Sequence, residues 1–243
     1  MPPTLYLVRH AEGEHNVKDS NHIRDSVLTD FGKKQCHQLR VSFPYHDDIS
    51  IVLASPLRRA IQTAGYAFGP ALRRSNVSFL LVPQAQEISN QPCDIGYDRE
   101  ILETDIPRII LEEDVGFNPS KTDASLLKAG WNSKRGIYEP RLAAIEKRAA
   151  ALRTWLLKRP ETNIVLVTHG AFLHYLTEDW TRYDPLRSTA WYNCEFRQFQ
   201  FTEDSNEQEA HLFEIGGPGV KQGRPSDAHS DVLTGTRAVE NLS

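Results

Sequence analysis

Cysteine is scarce in this sequence, and its few cysteines are not arranged in pairs. The three of them, Cys36, Cys93 and Cys194, are odd in number and far apart along the 243 residues. A disulfide framework needs paired cysteines, and a cysteine-rich zinc site needs them at short, repeated spacings. We therefore expect neither feature, and we interpret the thiols as structural or incidental residues in a reducing compartment.

Long apolar runs and an excess of one charge are missing too. No apolar run approaches the ~20 residues that span a bilayer, and residues 1–4 lack the basic and apolar regions of a signal peptide. The net charge of -4 gives no electrostatic reason to expect nucleic acid or an acidic membrane surface as a partner. We expect a cytoplasmic protein with neither partner, and the sequence leaves the oligomeric state open.

Two short apolar runs indicate the fold. Residues 5–8 lead into Arg9 and His10, and residues 163–168 lead into His169. Such runs are typical of buried parallel strands, and open α/β sheets bind ligands at the carboxyl ends of their strands. We predict one α/β domain with a mostly parallel sheet flanked by helices, and a functional site where these two strands end.

The remaining pattern completes this prediction. Further strands are expected at residues 51–54 and 77–82, and edge strands at residues 195–201 and 210–215. Helices are expected at residues 29–43, 57–68, 140–157 and 171–180.

Three of these helices carry specific expectations. The first, capped by Thr29, should turn three side chains inward, namely Phe31, Cys36 and Leu39. The second should close at Gly69 and Pro70. The third places Arg153 off an apolar stripe formed by Leu142, Ile145, Ala149, Leu152 and Leu156.

Between the third strand and the third helix the periodicity is poor. Residues 89–138 show one short helical patch near residues 106–112, and they are too rich in Trp, Pro and Gly for a disordered linker. We predict that this segment is a lid or substrate-recognition insert. Residues 1–215 would form the domain, and residues 216–243 a loosely ordered tail.

The polar residues after the predicted strands suit phosphoryl transfer through an enzyme nucleophile. Arginines bind phosphate through paired hydrogen bonds, which suggests Arg9 and also Arg59 at the start of the second helix. A neutral imidazole can attack phosphorus and form a phosphohistidine, a role for His10 with His169 as a second imidazole. An acid must protonate the departing oxygen, and Glu87 is the candidate.

Three segments also carry a resemblance to a known family. Residues 7–12 with Asn16 resemble the opening motif of the histidine phosphatase superfamily, which includes the cofactor-dependent phosphoglycerate mutases. Residues 55–63 resemble its second motif and residues 167–170 its third. The likeness covers roughly residues 4–200 in order, and it implies a three-layer, phosphoglycerate mutase-like α/β sandwich.

The resemblance implies roles residue by residue. His10 matches the phosphorylated histidine, and Arg59, directly before Ala60, matches the arginine of the second motif. Glu87 lies where the family's acid usually lies, just after the third predicted strand. The other implied substrate contacts are Arg9, Asn16, His169 and Gly170.

One position departs from the family's pattern. Ala11 replaces the glycine that usually follows the nucleophile, so a methyl group there could crowd the pocket slightly. Other details resemble a fungal-type branch of the family, and they are residues 9–13, Pro92, Cys93, Asp94, Gly96, Trp180, Trp191 and Asn193.

Other polar and aromatic residues keep simpler interpretations. Asp94 is the substitute candidate for the acid. We do not expect His10 and His169 to form a zinc site, because the sequence shows no third ligand at a sensible spacing. We expect solvated loop charges at His15, Lys18, His22 and Arg24. We expect packing roles for His174, Trp131, Trp180 and Trp191.

The sequence thus predicts a metal-independent phosphatase that needs no cofactor. It would hydrolyse a phosphomonoester of a small molecule through phospho-His10. Three alternatives stay open: a phosphoglycerate mutase-type phosphotransferase, a relative recruited to diphosphate or phosphate-free metabolite chemistry, and a non-enzymatic binding module. The identity of the substrate is left open as well.

Overall fold

A six-stranded sheet forms the centre of the structure. The computed structural model describes residues 1–17, 20–184, 186, 189–217 and 221. The strands are β1 (Thr4–Arg9), β2 (Ile51–Ala54), β3 (Ser78–Leu81), β4 (Asn163–Thr168), β5 (Phe196–Phe201) and β6 (Leu212–Glu214). They lie in the order β3-β2-β4-β1-β5-β6, and the first four are parallel to one another while β5 and β6 pair in antiparallel fashion. The predicted α/β class with a mostly parallel sheet is confirmed.

Helices lie on both faces of this sheet. They are α1 (Asp30–Ser42), α2 (Arg58–Leu72), α3 (Arg99–Ile109), α4 (Glu112–Val115), α5 (Leu142–Leu157) and α6 (Gly170–Thr177). Across the described ranges, none of these helices combines the length and the apolar character needed to cross a membrane.

The side chains of β4 divide the interior into two cores, because successive residues of a strand point to opposite faces. Val165 and Val167 pack in one core with residues of α1 and α2. Ile164 and Leu166 pack in the other core with residues of α5 and α6. The sheet is therefore buried on both faces between two layers of helices, which explains why its parallel strands are continuous apolar runs.

The first helix begins where the sequence predicts, but one of its side chains points the other way. Thr29 Oγ1 accepts a hydrogen bond from Gly32 N at 2.9 Å, and Cys36 and Leu39 are buried. Phe31 is 57% exposed, so its predicted inward orientation is wrong. With 3.6 residues per turn, Phe31 lies about 140° around the helix from Cys36, and Gly32 faces the core in its place.

The second helix does not close at Gly69 and Pro70 as predicted, and it continues to the second residue beyond Pro70. Phe68 leaves helical geometry, with φ -109° and ψ 17°. This kink accommodates the proline, whose ring would otherwise clash with a carbonyl of the preceding turn. At the other end, Arg58 N donates to Asp25 Oδ1 at 2.9 Å, so a loop carboxylate caps the helix.

Two expectations about the later part of the chain are wrong. β5 is not an edge strand, since it is hydrogen-bonded to β1 on one side and β6 on the other. Arg153 is not off the apolar stripe of α5 but is 5% exposed, and it donates to Ala210 O at 2.6 Å and Tyr175 O at 3.0 Å. These backbone carbonyls and the carboxylate of Glu178, 2.9 Å from Nη2, satisfy the guanidinium and make its burial possible.

The segment 89–138 contains α3 and α4 between irregular stretches, and α3 starts earlier than the predicted helical patch near residues 106–112. A bridge between Leu80 and Asp123 joins this segment to the sheet. Its role as a lid stays a prediction, as does the domain boundary at residue 215. Of the predicted tail, only residues 216, 217 and 221 lie within the described part of the chain.

Replacing Gly32 by alanine is expected to lower the free energy of unfolding by about 1–3 kcal/mol, although alanine is the better helix former. A Cβ at this position would lie 2.1 Å from Glu12 O, a backbone atom that cannot simply rotate away. Urea unfolding followed by circular dichroism measures the change. Lys34→Ala, at an exposed position on the same helix, is the control and should stay within about 0.5 kcal/mol of the parent protein. Equal stability of the two variants would contradict this close contact.

Candidate active site

The pairing of β1 with β4 brings the two predicted histidines together. The strands are parallel and in a register that sets Arg9 opposite Thr168. The next residue of each strand is a histidine, and the ring centroids of His10 and His169 are 5.1 Å apart. His10 N also donates to Thr168 O at 2.9 Å, which continues the ladder to the site.

The tautomer of His10 follows from its hydrogen bonds. Its Nδ1 lies 2.7 Å from Ala11 O. Because a carbonyl oxygen can only accept, Nδ1 must carry the proton and Nε2 must present its lone pair. Arg59 Nε donates to this Nε2 at 3.3 Å, which agrees with the assignment. The imidazole is thus fixed with its unprotonated nitrogen facing a cation.

The surroundings keep His10 neutral. The ring is buried, and burial is the main cause that lowers its pKa well below the usual value. The positive charges of Arg59 and Arg9 and the neighbouring His15 lower this pKa further. A neutral imidazole is the form that can act as a nucleophile.

Arg59 occupies the first turn of α2 and is 1% exposed. Its Nη1 donates to Cys93 O at 2.6 Å, and its Nη2 donates to Asp94 Oδ1 at 2.7 Å. Together with the contact to His10, these bonds hold all three nitrogens of the guanidinium. A buried cation requires such partners, and two of the five N–H groups of the guanidinium remain for a ligand.

His169 lies at the start of α6, where its Nε2 is 2.7 Å from Ser55 Oγ. Burial, followed by the charge of Arg59, lowers its pKa well below the usual value, so this second imidazole is neutral as well. Its Nδ1 is buried without a hydrogen-bond partner among the described residues. A buried polar atom of this kind can be satisfied by a ligand.

Three further predicted contacts lie nearby. Arg9 Nη1 donates to Trp191 O at 2.6 Å, and Asn16 Oδ1 accepts from Gly13 N at 3.0 Å. Gly170 has no room for a side chain, since a Cβ there would lie 3.1 Å from Arg9 Nε and closer still to a threonine side chain. The glycine therefore allows the start of α6 to approach Arg9.

Glu87 is held by backbone donors at the start of α6. Its carboxylate accepts from Phe172 N at 3.1 Å, from Ala171 N at 3.4 Å and from Ile88 N at 3.0 Å. These donors favour the charged form. Burial and the negative charge of Asp94 act in the opposite direction and prevail, so the pKa of Glu87 is raised.

The predicted residues meet in one cavity of about 250 Å³. Arg9, His10, Asn16, Arg59, Glu87 and Gly170 all line it, and His169 lies beside His10. Ala11 does not belong to the described lining: it is fully buried in the core next to α2, and its N–H donates to Thr63 Oγ1 at 3.0 Å. The crowding expected from its methyl group is therefore not observed.

Among the residues that the sequence did not assign to this site, two are ionisable and lie in or beside the cavity. His15 is not a solvated loop charge, because it lines the cavity with its ring centroid 5.5 Å from that of His10 and its Nδ1 2.8 Å from Ser26 Oγ. Burial, then the charge of Arg59, lowers its pKa to about 3. Its position directly before Asn16 was the available signal. Lys134, from the insert, is buried and donates to Glu87 O at 2.8 Å, and no sequence signal marked it.

The other expectations have mixed outcomes. His22 and Arg24 are exposed as predicted, whereas Lys18 lies outside the described residues. His174 is a packing residue as predicted, with its ring stacked on Trp180 at 4.7 Å. The three tryptophans of that prediction, Trp131, Trp180 and Trp191, are all buried.

Comparisons with known proteins find relatives with similar sequences. A Schizosaccharomyces pombe protein described as a probable phosphatase is 26% identical over 170 residues, covering 69% of this chain and 74% of that protein. Phosphoglycerate mutase-like protein 1 of Arabidopsis thaliana is 30% identical over 205 residues, covering 71% of this chain and 70% of that protein.

The fold is also that of a solved structure. A candidate alpha-ribazole-5'-P phosphatase of Escherichia coli superposes with a TM-score of 0.52 at 17% identity, covering 88% of this chain and 96% of that chain. The fungal-type branch stays a prediction. The model of the histidine phosphatase superfamily (branch 1) matches residues 5–212. Since this match covers most of the chain, the protein belongs to the histidine phosphatase superfamily.

Proposed function

We propose that the protein is a phosphatase that hydrolyses a phosphomonoester of a small molecule through phospho-His10. The observation that carries the proposal is the orientation of His10. Its Nδ1 is committed to Ala11 O at 2.7 Å, and its unprotonated Nε2 faces Arg59 Nε at 3.3 Å inside the cavity. A neutral imidazole nitrogen beside a fixed cation is what attack on a phosphoryl group requires.

The phosphoryl group would be held by the cationic and polar residues around His10. Arg9 and Arg59 line the cavity and can donate paired hydrogen bonds to phosphoryl oxygens. Asn16 lines the same cavity, and the buried Nδ1 of His169 can bond one more oxygen. In this proposal these groups, rather than a metal ion, stabilise the charge that spreads over the oxygens during transfer.

In the first step, the hydrogen bond from Arg59 Nε to His10 Nε2 breaks, and Nε2 forms a bond to phosphorus while the bond from phosphorus to the ester oxygen breaks. Glu87 gives its proton to that oxygen, so that an alcohol leaves instead of an alkoxide. In the second step, Glu87 takes a proton from a water molecule as this water attacks phosphorus. The bond from phosphorus to Nε2 breaks, and inorganic phosphate and neutral His10 are regenerated.

The choice of Glu87 over Asp94 as the acid rests on their different surroundings. Burial and the charge of Asp94 raise the pKa of Glu87, which favours its protonated form. Burial alone would raise the pKa of Asp94 too, but Arg59, then Lys134 and the Ser89 hydroxyl outweigh it, and the pKa of Asp94 is lowered. A carboxyl group that must donate a proton near neutrality is therefore better placed at Glu87.

The size of the cavity supports a small-molecule substrate. A volume of about 250 Å³ is below the range of typical drug-sized ligand sites, which favours a phosphoryl group carried by a compact alcohol. A mutase would use the same His10, but it would need a bisphosphorylated primer and would release little free phosphate.

His10→Ala is expected to lower phosphate release from p-nitrophenyl phosphate by about 10⁴-fold or more, because the nucleophile is lost. The acid-labile label left on the wild-type protein by a ³²P-labelled ester should also disappear. His37→Ala, at an exposed position on α1, is the matched control and should keep full activity.

The measurement is made with EDTA present, which should not change the wild-type rate. A folded His10→Ala protein, judged by its thermal melt, that still turns over would refute the phosphohistidine. Full conversion of a monophosphate without free phosphate would indicate a mutase instead.

Glu87→Gln is expected to slow hydrolysis of an alkyl phosphate, such as glycerol 2-phosphate, by about 10²–10⁴-fold. Formation of phospho-His10 from p-nitrophenyl phosphate should change little, because p-nitrophenolate leaves without a proton. Burst kinetics separate this step from hydrolysis of the phosphoenzyme. Glu146→Gln, exposed on α5, is the control, and equal slowing of both esters in the first step would remove Glu87 from the acid role.

A further inference from the structure

A short turn of the insert lies against the guanidinium of Arg59. The turn Pro92–Asp94 presents two acceptors to it, Cys93 O at 2.6 Å and Asp94 Oδ1 at 2.7 Å. Arg59 and Asp94 are 1% and 5% exposed, so this ion pair is shielded from water. A shielded ion pair with short bonds restrains both side chains far more than a surface pair does.

The carboxylate of Asp94 is itself held on both sides. Its Oδ2 accepts a hydrogen bond from Ser89 Oγ, while its Oδ1 accepts from Arg59 Nη2. The guanidinium in turn donates from Nε to His10 Nε2 at 3.3 Å. One chain of contacts thus runs from Ser89 through Asp94 and Arg59 to the nitrogen that is proposed to attack phosphorus.

We infer that Asp94 is a positioning residue that holds Arg59 in front of His10 and keeps a permanent negative charge in the cavity that Glu87 shares. This inference rests on the proposed function, since it concerns how the same reaction is prepared. In that reaction, Asp94 does not donate a proton to the substrate.

The charge of Asp94 has a consequence at Glu87, because both side chains line the same cavity. After burial, the negative charge of Asp94 is the next cause that raises the pKa of Glu87. Two negative charges in one buried site repel each other, and this repulsion favours a state in which one carboxyl group keeps its proton. Because Arg59 pairs with Asp94, Asp94 stays ionised and Glu87 is the group that remains protonated.

Other charges act on Glu87 from every side of the cavity. Arg59 on α2 lowers the pKa of Glu87. The charge of Glu87 in turn raises the pKa values of Arg148 on α5 and of Cys93 and Lys134 in the insert. Burial lowers the pKa of Lys134 to about 7, so this amine also titrates near neutrality. The charge of Asp94 raises the pKa of Lys134 as well, so the Glu87→Gln background below is needed to assign a shift of the profile to Glu87.

Removing the charge of Asp94 should therefore move the alkaline limb of the pH profile to lower pH. The alkyl phosphate reaction needs protonated Glu87, and its kcat falls as pH rises through the pKa of that group. Asp94→Asn keeps the shape of the side chain but not its charge, so the pKa of Glu87 falls and the alkaline limb shifts to lower pH. At pH 8 the ratio of alkyl to aryl phosphate kcat should drop about tenfold relative to the parent protein.

The second role, holding Arg59, is tested by variants that change the reach of the side chain. Asp94→Ala should raise KM and the inhibition constant of inorganic phosphate about tenfold or more, because Arg59 loses its strongest partner. Asp94→Glu keeps the charge but displaces it, so it should raise KM while its alkaline limb stays close to that of the parent protein. Asp47→Asn, exposed in the turn after α1, is the control for both measurements.

The outcomes separate this inference from the proposed function. In a Glu87→Gln background, Asp94→Asn should have no further effect on the alkaline limb, since the limb belongs to Glu87. An Asp94→Asn profile that overlays the parent profile, with phospho-His10 still forming, would refute the charge role alone. An Asp94→Ala variant with unchanged KM and phosphate inhibition would refute the positioning role. If phospho-His10 never forms in the parent protein, the proposed function has failed first.

If Asp94→Asn does not fold, Asp94→Ala removes the same charge, and its alkaline limb should move to lower pH in the same way. Asp94→Glu still tests the positioning role through KM. A folded Asp94→Ala protein whose alkaline limb overlays that of the parent protein would refute the charge role.

Discussion

The site depends on the parallel pairing of β1 with β4. Arg9 stands opposite Thr168, and a slip of one residue would turn every side chain of β1 to the other face of the sheet. Both faces are buried, with Tyr6 and Val8 in one core and Leu5 and Leu7 in the other. Neither face can accept such a slip, so the packing that stabilises the sheet also fixes the 5.1 Å between the rings of His10 and His169.

The same positive charges have two effects in the cavity. Arg59 and Arg9 lower the pKa of His10, which is already lowered by burial, and so they keep its imidazole neutral. They are also the groups that would attract a phosphoryl dianion. In the proposed function, one arrangement of charge thus prepares both the nucleophile and the anion site. The carboxylate of Asp94 prevents this arrangement from becoming an isolated buried cation, which would be costly.

Much of this site could be predicted from the sequence, because its residues follow strands and helix starts with strong local patterns. The positions of residues outside such patterns could not be predicted from the sequence in this way. His15 lies in a short turn, Glu14–Asn16, where no periodicity says which side chain faces inward. Lys134 reaches Glu87 O from a backbone with φ 54°, a conformation that the residue type does not suggest. Arg153 looked solvated, but it is buried against backbone carbonyls of Ala210 and Tyr175, which carry no sequence signal, and it pairs with Glu178 Oε1 at 2.9 Å.

The insert is bonded into the wall of the cavity at two places. Its first turn supplies Asp94 to Arg59, and a later stretch binds residues next to β3, where Gln86 Nε2 donates to Trp131 O at 2.8 Å and Lys134 donates to Glu87 O at 2.8 Å. A displacement of the insert would therefore remove the partner of Arg59 and a charge beside Glu87 at the same time. If a substrate contacts the insert as predicted, a group that displaces Asp94 or Lys134 would therefore also act on the residues proposed for catalysis.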